Sequence, residues 1–137
     1  RYALYIDTSV NVVECIYDEE KGMRPSELAA LTGVSTRVLR HYEAKGLIVS
    51  QRLDNGYRNY DAKDVEKVRW ITSLLKCGFS TRQIAELEKF SQVSDMDDAR
   101  FIQCLAQHRE KLRALDTLIE LLNERRNTLA TRIHAYE

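Results

Sequence analysis

Three side chains that bind anions fall on one side of a helical period between Thr36 and Ala44. They are Arg37, Arg40 and His41, at i, i+3 and i+4, with Ala44 completing the row at i+7. Two guanidinium forks and an imidazole so spaced present N–H donors along one face, suited to phosphate oxygens or to the acceptor edge of guanine. Thr36 heads the row and adds a hydroxyl to the same surface. A second cluster lies downstream, where Arg52 on one side and Tyr57 and Arg58 on the other flank Asp54-Asn55-Gly56. Nothing comparable favours covalent or hydrolytic chemistry. No glycine-rich phosphate loop, nucleophile elbow, paired-cysteine motif or HExxH occurs, and the histidines stand apart at positions 41, 108 and 134, so an enzyme is not expected.

The elements that must hold these groups are legible around them. Ser35 is a good N-cap, the next ten residues contain no proline or glycine, and Gly46 supplies a left-handed stop, so a helix is predicted here. Leu39 and Tyr42 point away from the basic row and give the helix an apolar face. An apolar run, Leu47 to Val49, leads into Gln51, Arg52 and Leu53. Asp54-Asn55-Gly56 tolerates the positive φ of a tight turn, and Tyr57 to Tyr60 form the return strand of a small β-hairpin. Upstream, Pro25 to Leu31 reads as a short helix ended by Thr32-Gly33. The two helices and their brief turn make a helix-turn-helix, to which the hairpin adds a wing.

From Met23 to Leu87 the segments ELAALTGVSTRVLRHYEAKGL, DNGYRNY and VRWITSLLKCGFSTRQI occur in fixed order, and this half of the chain resembles the DNA-binding domain of the MerR family of bacterial transcription regulators. The resemblance implies a mainly α fold with a winged helix-turn-helix, a long helix for dimerisation, double-stranded DNA as partner, and action at promoters. There, bending and untwisting the duplex lets RNA polymerase engage separated promoter elements. Arg37 and Arg40 are then expected at or near the bases with Thr36 alongside, and His41, Tyr42, Arg52, Tyr57 and Arg58 mainly at the sugar-phosphate backbone. Two departures are visible. His41 stands where the family usually has tyrosine, and the proline usual after the recognition helix is missing, which leaves the wing angle open.

Composition sets the limits of this reading. The 137 residues suit one compact domain plus an extension. Net charge is zero, yet it is unevenly spread. Residues 1–22 carry two basic and five acidic side chains, 23–92 twelve and eight, and 93–137 seven and eight, so the positive excess of +4 sits on the helix-turn-helix segment. No apolar run reaches the roughly 20 residues of a membrane span and no signal-peptide pattern opens the chain, so no membrane partner and a cytoplasmic location are expected. Three widely spaced cysteines fit a reducing compartment. Residues 1–22 have no counterpart in the family pattern and are read as an extension or leader. Alternation at Tyr2, Leu4 and Ile6 allows a strand there, and Cys15 has no partner at ligand spacing.

Beyond the wing, Asp61 is placed to cap a helix from Ala62 to about Cys77. Val65, Val68, Ile71 and Leu75 form its apolar stripe, and Trp70 and Leu74 widen it into the core. Ser80-Thr81-Arg82-Gln83 matches a capping box for a further short helix to about Lys89. The resemblance makes this pair a second backbone-contacting element, with Ser80, Thr81 and Arg82 at the helix N-terminus where N–H groups hold phosphate.

Residues 91–98 read as a polar, acidic linker and helix start. From there Phe101, Leu105, His108, Leu112, Leu115, Ile119, Leu122, Arg126, Leu129, Ile133 and Tyr136 recur four and three apart, a coiled-coil seam. Antiparallel pairing of two copies about Thr117 sets His108 opposite Arg126, so neither polar group faces leucine in a dry seam, a mismatch costing roughly 1–3 kcal/mol. A homodimer with two recognition helices follows. No cofactor is evident. Cys77 is expected to pack, whereas Cys104 at the seam's edge, four residues before His108, is the only candidate thiol or metal sensor, and two such groups do not define a metal site.

The expected organisation is thus an extension over 1–22, a winged helix-turn-helix domain over 23–92, and a linker with a dimerisation helix over 93–137. The expected function is a promoter-binding transcription regulator. An interaction module that no longer reads DNA and an architectural DNA bender are the alternatives.

Overall fold

A computed structural model of the chain describes residues 22–91 and 98–137. The expectations for the extension, Cys15 included, and for most of the linker lie outside those residues. The fold is mainly helical, in the order α1 (Pro25–Thr32), α2 (Thr36–Ala44), β1 (Gln51–Arg52), β2 (Arg58–Asn59), α3 (Ala62–Lys76), α4 (Thr81–Ser91) and α5 (Asp98–Tyr136). The described residues divide into two compact units, 22–43 with 48–69, and 44–47 with 70–91 and 98–137.

In the first unit α1 begins with proline at N1, and Gly33 ends it in the left-handed region at φ 73°, its N–H reaching the Ala29 carbonyl at 2.9 Å. Arg69 donates to the Leu31 carbonyl at 3.3 Å, placing a cation at the negative end of α1. Three residues later Ser35 caps α2 as expected: its Oγ accepts the Val38 N–H at 3.2 Å. Leu39 and Tyr42 turn inward from α2 and are buried with Met23, Leu28, Ala29, Ile48, Tyr60, Val65 and Val68.

The hairpin is shorter than its apolar lead-in suggests. Only Gln51 with Asn59 and Arg52 with Arg58 pair, because Leu47 and Ile48 are drawn into burial as anchors instead of continuing the strand, and Val49 is left exposed. Asn55 and Gly56 make the turn as predicted. Gly56 adopts φ 82° and the Asn55 side-chain oxygen accepts the Tyr57 N–H at 3.1 Å. Tyr60 closes the return by a two-way backbone bridge to Met23, at 2.7 and 2.9 Å.

Asp61 and Asp64 cap α3 reciprocally. Asp61 Oδ1 accepts the N–H groups of Lys63 (2.9 Å) and Asp64 (3.2 Å), and Asp64 Oδ2 accepts that of Asp61 (2.9 Å). Val65, Val68, Ile71 and Leu74 are the buried side chains of α3. Two expectations are corrected here. Leu74 rather than Leu75 completes the buried stripe, and Trp70 is half-buried because it falls on the stripe's far flank rather than its centre.

The second unit joins the end of α3 to α4 and α5. Gly78 stops α3 at φ 85°. Cys77, expected to pack, is exposed instead, because it lies in the turn after the last helical residue. Ser80 and Gln83 form the predicted box, Gln83 N–H to Ser80 Oγ at 3.2 Å and Ser80 N–H to Gln83 Oε1 at 2.9 Å. Phe79, Ile84 and Leu87 are buried, and α4 packs on α5. The 39 residues of α5 extend roughly 60 Å at about 1.5 Å per residue. No helix among the described residues is long and apolar enough to cross a membrane.

Candidate nucleic-acid interface

The basic row on α2 survives folding intact. Thr36, Arg37, Arg40 and His41 are all exposed, on the side of α2 opposite the buried Leu39 and Tyr42. Tyr42 is therefore separated from the group it was expected to join. At 4% exposure its ring belongs to the core, since it occupies the same helical face as Leu39, three residues earlier.

The hairpin stands beside this row. A cleft of about 170 Å³ is lined by Thr36 and Arg40 from α2, by Arg52, Gly56, Tyr57 and Arg58 from the hairpin, and by Pro25 at the head of α1. Three arginines thus line one small open space. Arg52 is braced across the turn by donating to the Gly56 carbonyl at 2.9 Å, and Tyr57 is 70% exposed. Donors held in this way by the scaffold need little further ordering when they meet an anion.

Arg58 is differently placed. Its Nε–H donates to Glu43 Oε2 at 2.8 Å, an ion pair three-quarters to two-thirds removed from solvent on its two sides. The other carboxylate oxygen of Glu43 accepts the Ser50 hydroxyl. Chiefly the Ser50 hydrogen bond, and then the nearby Arg58 and Arg52, hold the Glu43 carboxyl below the usual carboxylate range against an opposing push from burial. Burial, with Glu43 close by, pushes the Tyr60 hydroxyl up. Sequence reasoning put Arg58 among the backbone contacts and overlooked Glu43 and Ser50. The available signal was that Glu43 is the one acidic residue of α2.

In the second unit Thr81 and Arg82 open α4, where N–H groups face outward. Arg82 is 91% exposed and only loosely associated with Glu86, at 3.9 Å. Ser80 spends its oxygen on the cap.

Farther along, His108 departs from a pure seam position. Its ring lies 5.3 Å from that of Phe79, and Lys111 stands over the same phenyl ring at 5.6 Å. Because a carbonyl only accepts, the 2.8 Å contact with the Cys104 carbonyl assigns the proton to His108 Nδ1. That nitrogen is then not free to bind a metal, although Cys104 Sγ lies 3.9 Å away. Burial pushes the Cys104 thiol up, away from the reactive thiolate form. No group of three or more His, Cys, Asp or Glu side chains converges among the described residues. Along α5 the remaining seam residues Phe101, Leu112, Leu115, Ile119, Leu122, Leu129 and Ile133 are exposed, and Leu105 is half-buried.

Residues 23–90 match the family described as MerR HTH family regulatory protein. The HTH-type transcriptional regulator HmrR of Rhizobium leguminosarum bv. viciae is 34% identical over 113 residues, covering 82% of this chain and 85% of HmrR. The nodulation protein NolA of Bradyrhizobium elkanii is 34% identical over 110 residues, 79% of this chain but only 47% of NolA. Among solved structures, HiNmlR, a MerR family regulator lacking the sensor domain and bound to promoter DNA, superposes with a TM-score of 0.56. That match covers 85% of this chain and 90% of HiNmlR at 20% identity, a likeness of fold.

Proposed function

The chain belongs to the MerR family of helix-turn-helix transcription regulators, which bind promoter DNA and are not enzymes, and from that premise we propose that it reads an inverted-repeat operator as a homodimer. The observation that carries the proposal is the cleft in which the exposed row of α2 meets the hairpin. α2 enters the major groove with Arg37 and Arg40 directed to base edges and Thr36 beside them. His41, Arg52 and Tyr57 grip the flanking phosphates, as does the N-terminus of α4 with Ser80, Thr81 and Arg82.

Two copies pair through α5. Its exposed leucines and isoleucines form a continuous stripe, and water is excluded from it when two helices lie antiparallel about Thr117. In that register His108 of one copy approaches Arg126 of the other, while its Nδ1 stays committed to the Cys104 carbonyl. The pair then distorts the duplex between its half-sites, so that RNA polymerase engages promoter elements otherwise poorly aligned. Cys104 has no assigned role as a sensor in this reading.

The test is selection of duplexes retained by the purified protein from a random pool at physiological salt, followed by sequencing. An enriched inverted repeat is the expected outcome. Failure to enrich any sequence, or enrichment of a single undivided site, overturns the dimeric reading.

A further inference from the structure

We propose that Glu43 is a positioning residue for DNA binding, a carboxylate clamp that sets the angle of the hairpin against the recognition helix and holds Arg58 away from direct phosphate contact. The inference rests on the DNA-binding reading above.

Its first support is geometric. Glu43 occupies the last turn of α2 and uses both oxygens on the hairpin. Oε1 takes the Ser50 hydroxyl just before β1, and Oε2 takes Arg58 Nε–H in β2 at 2.8 Å. One side chain therefore grips both arms of the wing. The second support is that the wing needs such a grip. Its strands pair over two residues each, and a two-stranded hairpin of that size is marginal by itself, so the ladder alone does not fix where Arg52 and Tyr57 point. Tyr60 anchors the end of the return strand through Met23, and the clamp adds a hold on Ser50 at the same level of the outgoing arm and on Arg58 two residues nearer the turn.

The third support is electrostatic. An anion on a helix that approaches phosphates opposes binding, so by charge alone Glu43 is a liability. Its removal should tighten the complex unless it does something else. A clamp predicts the reverse, which makes the sign of the effect decisive.

The experiment measures affinity and salt dependence on the selected operator for the full chain and for Glu43→Ala, Glu43→Gln, Ser50→Ala, Arg58→Ala and the Glu43→Ala/Arg58→Ala double variant. Thermal unfolding of each DNA-free protein is followed in parallel. Glutamine keeps an acceptor for Arg58 and a donor that Ser50 can accept, without the charge. Expected are a loss of about tenfold for Glu43→Ala, the size of one charge-assisted hydrogen bond, and wild-type or tighter binding for Glu43→Gln. Arg58→Ala should match Glu43→Ala, the double variant should be no worse than either, and the salt slope should stay unchanged.

Tighter binding by Glu43→Ala overturns the proposal. So does a salt slope flattened by about one in Arg58→Ala, the mark of a lost phosphate contact. Should Glu43→Ala fail to fold, Glu43→Gln and Ser50→Ala still decide. Ser50→Ala should weaken binding with an unchanged slope, and wild-type affinity in Ser50→Ala sinks the clamp. Absence of operator binding by the wild-type chain would instead overturn the parent reading, and is recognised before any variant is compared.

Discussion

Arg40 and Arg52 carry the same guanidinium group but are proposed for different tasks. Arg40 stands on the helix proposed for the groove, whereas Arg52, braced by the Gly56 carbonyl, stands on the hairpin proposed for the flanking phosphates. Replacing Arg40 by alanine should cost roughly 1–3 kcal/mol on the preferred operator and relax the preference at one position of each half-site. Arg52→Ala should weaken every sequence alike and flatten the plot of log affinity against log salt by about one. Competition binding at several salt concentrations separates the two, and equal behaviour of the variants would mean that the faces have been assigned wrongly. Tyr42 shows why residue type is not enough. Its hydroxyl suggests a phosphate partner, but the helical period delivers it to the core with Leu39.

The helices and turns owe their bounds to short-range groups. Ser35, Asp61 and Ser80 each supply the oxygen that an N-terminal N–H lacks, and Gly33, Gly46 and Gly78 each adopt the positive φ that closes a helix. The Asp61–Asp64 box starts α3, whose first half serves the first unit and whose second half serves the other. Asp61→Ala should therefore cost about 0.5–2 kcal/mol, seen as a lower unfolding midpoint, with α2 and the hairpin otherwise intact. An unchanged midpoint would show that water replaces the cap without loss. Burial pushes the Asp64 carboxyl up, and this works against the box. A group whose folded-state value is raised stabilises the fold below its unfolded value and loses that contribution as pH rises through the folded one.

At the scale of the whole molecule, α5 carries the proposed oligomeric state. A 39-residue helix whose apolar stripe faces solvent is costly in isolation, each partly exposed large side chain forfeiting a fraction of the roughly 1.5–3 kcal/mol that full burial supplies. In the antiparallel register Leu122 faces Leu112 of the second copy near the crossing. Leu122→Arg should convert a dimer to a monomer in sedimentation and reduce operator affinity, while leaving the melting of the DNA-binding segment nearly unchanged. A variant that still sediments as a dimer would place the association elsewhere.

The chain alone determined the order of elements, the caps, the glycine stops and the basic row of α2, because each depends on groups within a few residues of one another. Tertiary structure decided what depends on partners distant in sequence. It buried Tyr42, left Trp70 half-covered, exposed Cys77, set His108 against Phe79 and tied Arg58 to Glu43 across fifteen positions. Periodicity states which face a side chain takes, but only packing states what waits on that face, and a carboxylate already waiting there changes what an arginine is free to bind.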